Sequence, residues 1–132
     1  LADFIEPAPQ PLLRPTDTLR DVTHHFAASE ENLYYVVDAS DRLAGLVTLT
    51  DVIRVQANGA PPDTPVTEFM AAQPIAVLAN DTAVVAASAF REHGFKTLPV
   101  IADRESRRVV GTIRARRLIA RLLDTLPPTG LA

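Results

Sequence analysis

The chain has 132 residues, 47% apolar and 22% charged, which suits one compact domain or two small halves sharing a core. Cysteine is absent, which excludes disulfides, thiolate metal sites and cysteine nucleophiles. The formal net charge of −3 is too mild to point to nucleic acid or a membrane, and no apolar run approaches the ~18–20 residues of a membrane helix.

In chain order, the sequence opens at Leu1 without a methionine or a signal-peptide pattern, so it is read as a piece of a larger cytoplasmic protein. A short apolar stretch, Leu12-Leu13, leads to Asp17, a plausible helix N-cap. Leu19, Val22 and Phe26 then recur at the spacing of an amphipathic helix. Two β-rich runs, 34–37 and 43–49, flank the polar turn 38–42, and a second helix is predicted from Thr50 to about Ala57. Asn58-Gly59-Ala60-Pro61-Pro62 reads as a linker. The order then repeats: an apolar stretch at 75–78, Asp81 as N-cap, and a helix carrying Ala83, Ala86 and Phe90 on one face and stopped by Gly94. Strands at 98–101 and 109–113 around the turn 103–108 follow, then a helix from about Ala115 to Leu123. Leu126-Pro127-Pro128-Thr129-Gly130 ends the ordered part.

The repetition extends to individual residues. Leu1-Ala2-Asp3-Phe4-Ile5 matches Val66-Thr67-Glu68-Phe69-Met70, Thr16-Asp17-Thr18 matches Asn80-Asp81-Thr82, and Gly45-Leu46-Val47 matches Gly111-Thr112-Ile113, all about 65 residues apart. Two copies are therefore expected, repeat 1 at 1–58 and repeat 2 at 64–126, with a linker at 59–63 and a tail at 127–132. Each is a mixed α/β (α+β) unit of strand, helix, strand, strand, helix. One unit cannot cover both faces of its small sheet; two packed with pseudo-twofold symmetry can, and the symmetry creates clefts between them where small ligands usually sit.

Several residue groups invite a chemical reading and fail it. His24-His25 and His93 have no Cys or close carboxylate set to complete a metal shell, and adjacent helical histidines point in different directions. Ser29, Ser40, Ser88 and Ser106 lie in no nucleophile-elbow context, and no phosphate-binding loop of the G-x-x-x-x-G-K type occurs. No catalytic set can be assembled, so the chain is not expected to be an enzyme. Between Arg104 and Arg121 lie seven arginines, but no recognition motif and few aromatics accompany them, so a nucleic-acid partner is not expected. An exposed cationic helix that docks a partner or is simply solvated accounts for them.

The duplicated order, with Leu98-Pro99-Val100-Ile101 in one copy and Gly45-Leu46-Val47-Thr48-Leu49-Thr50-Asp51 in the other, resembles the pair of cystathionine-β-synthase-type (CBS) repeats often called a Bateman module. The resemblance covers nearly the whole chain. It implies a regulatory module that binds an adenosyl ligand such as AMP, ADP, ATP or S-adenosylmethionine between the repeats, needs no cofactor and modulates an attached domain. In the residues matching the family's Thr-x-x-Asp, Thr48 and Asp51, the hydroxyl would hold the phosphate and the carboxylate the ribose. Leu13, Leu33 and Tyr34 would flank the adenine. Thr48-x-x-Asp51 is equally a helix capping box, and the two readings are not exclusive. Tyr34 and Tyr35 open a buried strand, where aromatic residues are more often core. Copy two has Arg114-Ala115-Arg116-Arg117 in place of Thr-x-x-Asp, so its acid is missing; Arg114 or Arg117 is a candidate phosphate contact. One nucleotide site at most is expected, around Thr48 and Asp51. Such modules pair into flat homodimers, and Val52-Ile53-Val55 and Leu118-Ile119-Leu122-Leu123 are either those contacts or core. The segment 107–114 resembles the cytoplasmic C-terminal module of prokaryotic chloride-channel-type transporters, at the membrane's cytoplasmic face without itself inserting. The competing class of function is a ligand-free structural or dimerisation domain in which Thr48 and Asp51 only cap a helix.

Overall fold

The computed structural model describes residues 1–125, and the side chains of residues 1–121. The tail expected at 127–132 lies outside the described residues. Two three-stranded sheets carry four helices. The first half contains α1 (Leu19–Ala27), β1 (Leu33–Val37), β2 (Leu43–Thr48) and α2 (Leu49–Ala57). The second follows with β3 (Ala71–Ala72), β4 (Val77–Leu78), α3 (Ala83–His93), β5 (Thr97–Ile101), β6 (Val109–Arg114) and α4 (Ala115–Thr125). Within each half the two helices pack against each other.

Residue chemistry explains most of these boundaries. Leu19, Val22 and Phe26 are buried along one face of α1, as their spacing requires. Gly94 ends α3 with φ of 70°, a left-handed conformation that costs glycine least. The N-caps need correcting by one residue. Thr18 and Thr82 cap α1 and α3, accepting from the amides of Asp21 and Val85. Asp17 and Asp81 instead close the turn before each helix, accepting from the backbone amides of Arg14 and Leu78, both at 2.8 Å. Their carboxylates face backward along the chain, so the neighbouring threonine hydroxyl is left for the helix. α2 begins one residue earlier than expected because Thr48 itself is its cap.

Each sheet is completed by chain from the other half. β1 pairs antiparallel with β2, and β2 pairs with β3, which lies beyond the linker. In the second sheet β5 sits between the parallel β4 and the antiparallel β6, and Glu6, from the start of the chain, bridges to Thr112 on the outer edge of β6. Glu6 and Thr112 exchange both backbone hydrogen bonds at 2.8 Å. The side chains follow. Val66 and Phe69 belong to the core around Leu13, Val22, Tyr34 and Val47, while Leu1, Phe4 and Ile5 pack against Val77, Phe90, Leu98 and Ile113. The two glycines shared by the repeats lie under these crossing segments. A methyl at Gly111 would meet the carbonyl oxygen of Glu6 at 2.5 Å and Cγ2 of Ile5 at 2.6 Å, and one at Gly45 would collide with Sδ of Met70.

A pseudo-twofold axis passes between the two hairpin turns. Arg42 and Arg108, equivalent residues, bridge each other. The Leu43 amide donates to the Arg107 carbonyl (2.8 Å) while the equivalent Val109 amide donates to the Asp41 carbonyl (3.3 Å). Asp41 and Arg107, also equivalent, are both left-handed, with φ of 60° and 50°. Beside the axis a third apolar cluster holds Tyr35, Leu43 and Ile101. Thr112 is the one buried polar residue beside them, and its hydroxyl donates to the Leu98 carbonyl at 3.1 Å. Since a threonine has one proton to give, the Tyr35 hydroxyl donates to Thr112 Oγ1, at 2.5 Å, tying the halves together. The linker is also held: the first amides of α1, from Leu19 and Arg20, donate to the carbonyls of Thr64 and Pro62 at 2.8 and 3.0 Å, satisfying donors a helix start leaves free.

Candidate functional site

The alternation of β1 sends Tyr34 and Val36 into the core of the first half and Tyr35 into the shared cluster. It leaves the start of the strand at the surface, beside the equivalent start of β5. There, between the halves, lies a cleft of about 860 Å³, within the ~300–1,000 Å³ range of ligand pockets. Its walls are the 30–33 segment leading into β1, Lys96 and Thr97 at the start of β5, Thr112 and Arg114 at the end of β6, and the first turns of α4, with Pro9 at one side.

The cleft's chemistry is set by the β6–α4 junction. In copy one the equivalent junction is closed by a capping box: the Thr48 hydroxyl accepts from the Asp51 amide at 3.1 Å, and the Asp51 carboxylate accepts from the Thr48 amide at 2.9 Å. Arg114 stands in the place of Thr48, and a guanidinium has no acceptor, so the same box cannot form at α4. What faces the cleft is instead cationic: Arg114, Arg116 and Lys96, at the end of a helix whose dipole favours an anion. Glu30 and Glu31 line the same cleft, so both signs of charge meet there. Ile119, Ala120 and Leu33 supply apolar surface between.

Of the residues singled out from sequence, Leu33 and Arg114 reach the cleft. Leu13 and Tyr34 do not present their side chains to a ligand, being 0% and 1% exposed. Tyr34 lies edge-on to Phe26 at 4.7 Å, and its hydroxyl donates to the His25 carbonyl at 2.9 Å and accepts from Ser29 at 2.7 Å. Thr48 and Asp51 do not line the cleft, and Asp51 is already engaged, its second oxygen accepting from Arg54 at 2.9 Å. A Thr-x-x-Asp of the same geometry, Thr18 to Asp21, caps α1. There the Thr18 amide and hydroxyl hold the Asp21 carboxyl below its ordinary range. Arg117 is exposed and lies off the cleft. The phase of α4 decides this, since Leu118 is 2% exposed in the core and Arg121 sits 5.7 Å from the Phe4 ring centre, turning Arg116 rather than Arg117 inward.

Lys96, Arg116 and Thr112 were not singled out in the sequence. Nor was Glu6, whose carboxylate lies 3.7 Å from Nε of Arg114. Among the described residues no three His, Cys, Asp or Glu side chains are grouped to hold a metal, and no helix is long and apolar enough to cross a membrane.

This architecture of two interlocked repeats is matched by a family model, described as CBS domain, at residues 3–58 and again at 66–124. The chain belongs to the CBS domain family, as a tandem pair. Solved CBS pairs share the fold. The CBS domain protein PAE2072 from Pyrobaculum aerophilum, complexed with AMP, is 26% identical with a TM-score of 0.77, covering 93% of this chain and 95% of that one. CBSX2 in complex with AMP is 20% identical with a TM-score of 0.78, covering 94% and 96%. The CBS pair of protein MJ0100, in complex with 5′-methylthioadenosine and S-adenosyl-L-methionine, is 19% identical with a TM-score of 0.71, covering 94% of each chain. No curated protein matches this CBS pair in sequence.

Proposed function

We propose that this CBS pair is a non-catalytic regulatory module that binds an adenosyl ligand, an adenine nucleotide foremost, in the cleft at the β6–α4 junction. The observation that carries the reading is the presence of Arg114, Arg116 and Lys96 together in the lining of a cleft of ligand size, with apolar residues beside them. The guanidinium groups take the phosphate, Leu33 and Ile119 flank the base, and Thr48 and Asp51 act as a helix cap. The AMP complexes of PAE2072 and CBSX2 support the ligand class. Binding one arrangement of the two halves tenfold better than another supplies about 1.4 kcal/mol of bias to an attached domain.

Calorimetric titration with AMP, ADP, ATP and S-adenosylmethionine tests the reading. Saturable heat weakened at least tenfold by Arg114→Ala, and unchanged by Asp51→Ala, is expected. Heat abolished by Asp51→Ala moves the site to the copy-one junction around Thr48. Silence across the panel at millimolar ligand leaves the ligand-free scaffold.

As host we propose a chloride-channel-type transporter at the cytoplasmic face of its membrane, on the resemblance of the 107–114 segment. Serial apolar spans of ~20 residues encoded upstream would support it, and a soluble enzyme domain there would overturn it. Pairing of two modules through α2 and α4 is supported by Ile53 on α2, an apolar residue 59% exposed. Val52 and Leu118 are core and take no part; the side chains of Leu122 and Leu123 lie outside the described residues. Sedimentation of Ile53→Glu as a monomer, against a wild-type dimer, checks this.

A further inference from the structure

We propose that the groove between α1, α2 and the linker is a binding site for a phosphate group, separate from the cleft at the β6–α4 junction and independent of what that cleft holds.

The groove has a volume of about 290 Å³ and is lined by Leu19, Arg20, Thr23 and His24 of α1, Gln56 of α2, and Ala60 and Pro62 of the linker. That volume falls just short of the ~300–1,000 Å³ of pockets that take a whole drug-sized ligand, so the occupant is one small group. The lining is rich in donors, and no carboxylate belongs to it. Arg20 and His24 stand one helical turn apart on the same face. Among the described residues neither enters an ion pair. The acid of that turn, Asp21, does not line the groove and is already committed, its Oδ2 accepting from the amide and hydroxyl of Thr18 at 2.9 and 3.0 Å. Nε2 of Gln56 donates to Oγ1 of Thr23 at 2.9 Å, which fixes both side chains across the two helices. One amide proton of Gln56 and the hydroxyl proton of Thr23 remain to be given. Guanidinium, imidazole, amide and hydroxyl donors without an acid suit an oxyanion. Phosphate carries more charge and more acceptor oxygens than a carboxylate and engages more of them.

The pseudo-symmetry serves as an internal control. The equivalent positions in the second half are Val84, Ala87, Ser88 and Leu122. There α3 and α4 pack together without a cation or an amide at these places, so the fold does not require the set in the first half. The helix start is not what makes the site either, because the Leu19 and Arg20 amides already donate to the linker carbonyls. The side chains make it. A phosphate held by them touches α1, α2 and the linker at once.

Amide NMR of the full chain, titrated with inorganic phosphate at constant ionic strength, tests this. Shifts at Arg20, Thr23, His24 and the Gln56 side-chain amide are expected to saturate at low millimolar phosphate. Glycerol 3-phosphate should do the same, and acetate should bind about tenfold more weakly. Arg20→Val and His24→Ser each install the residue that the fold carries at the equivalent position. The first should weaken phosphate about tenfold, the loss of a charge-assisted hydrogen bond, and the second several-fold. Arg114→Ala should leave these shifts unchanged and remove only those at the β6–α4 junction. Shifts in the wild type that fail to saturate at tens of millimolar overturn the proposal whether or not a variant folds. So does acetate binding as tightly as phosphate, or undiminished phosphate affinity in a folded Arg20→Val. Failure of the adenosyl-ligand reading is seen at other amides and leaves this site standing.

Discussion

Replacing the two equivalent glycines by alanine separates what the crossing segments contribute. At Gly111 the new methyl would stand 2.5 Å from a backbone oxygen, that of Glu6, and 2.6 Å from the Ile5 side chain. A backbone atom cannot rotate away, so the N-terminal segment must lift. That strains or breaks the two Glu6–Thr112 hydrogen bonds, worth about 1 kcal/mol each, on top of an overpacking cost of about 1–3 kcal/mol. A net loss of about 2–4 kcal/mol is expected. At Gly45 all three nearest atoms belong to the side chain of Met70, an unbranched residue that repacks easily. The reduced entropy of the unfolded alanine chain offsets part of that cost, so Gly45→Ala should stay within about 1 kcal/mol of wild type. Urea unfolding followed by circular dichroism reads the difference: about 3 kcal/mol lowers the midpoint by roughly 1–3 M. Equal midpoints for the two variants, or a lower one for Gly45→Ala, would refute the reasoning.

Three further outcomes are expected. Burial pushes the Tyr35 phenol up from 10.0 to about 12, so the unfolded state gives up its proton first; stability is fully present below pH 10 and falls by about 3 kcal/mol as the pH climbs to about 12. Thermal melts of Tyr35→Phe should lack that component, and identical pH profiles for the two proteins in this window would sink it. Thr18→Ala and Thr48→Ala should each cost about 1 kcal/mol in chemical denaturation, the loss of an N-cap, with AMP affinity unchanged in both; a selective affinity loss in Thr48→Ala would show that the second threonine does more than cap. Arg116→Ala should weaken AMP and flatten its salt dependence while Arg117→Ala does neither, and the reverse ranking would mean that the phase of α4 has been misjudged.

The duplication was legible in the sequence because the motifs that define it are set by the backbone. Gly111 lies under a backbone oxygen and Gly45 under the Met70 side chain, and Leu19, Val22 and Phe26 must recur at helical spacing. The crossing segments were not legible. Ala71-Ala72 and the proline-flanked Glu6 carry no strand pattern, and they pair only because a prepared edge of the other sheet is waiting. The candidate site divides in the same way. Leu33 and Arg114 follow from the order of elements. Arg116 depends on a helix phase fixed by Leu118 and by Phe4 from the far end of the chain, and Glu6 on a bridge to Thr112 that no local rule anticipates. The side chains of Leu13 and Tyr34 lie in the core of the first half, while Leu33 at the start of the same strand as Tyr34 stays half-buried. The one-residue shift of the caps, from Asp17 to Thr18 and from Asp81 to Thr82, shows that adjacent good caps compete on direction, which composition does not encode.

The lodging of residues 1–6 on the distant sheet also governs how force travels through the module. A tug on Leu1 from any upstream partner is resisted first by the edge of β6 and the apolar seat of Phe4 and Ile5, so the half that follows last in the chain feels the load before the half that follows first. The same edge strand ends at Arg114. Whatever clamps that arginine stiffens the mooring of the upstream partner.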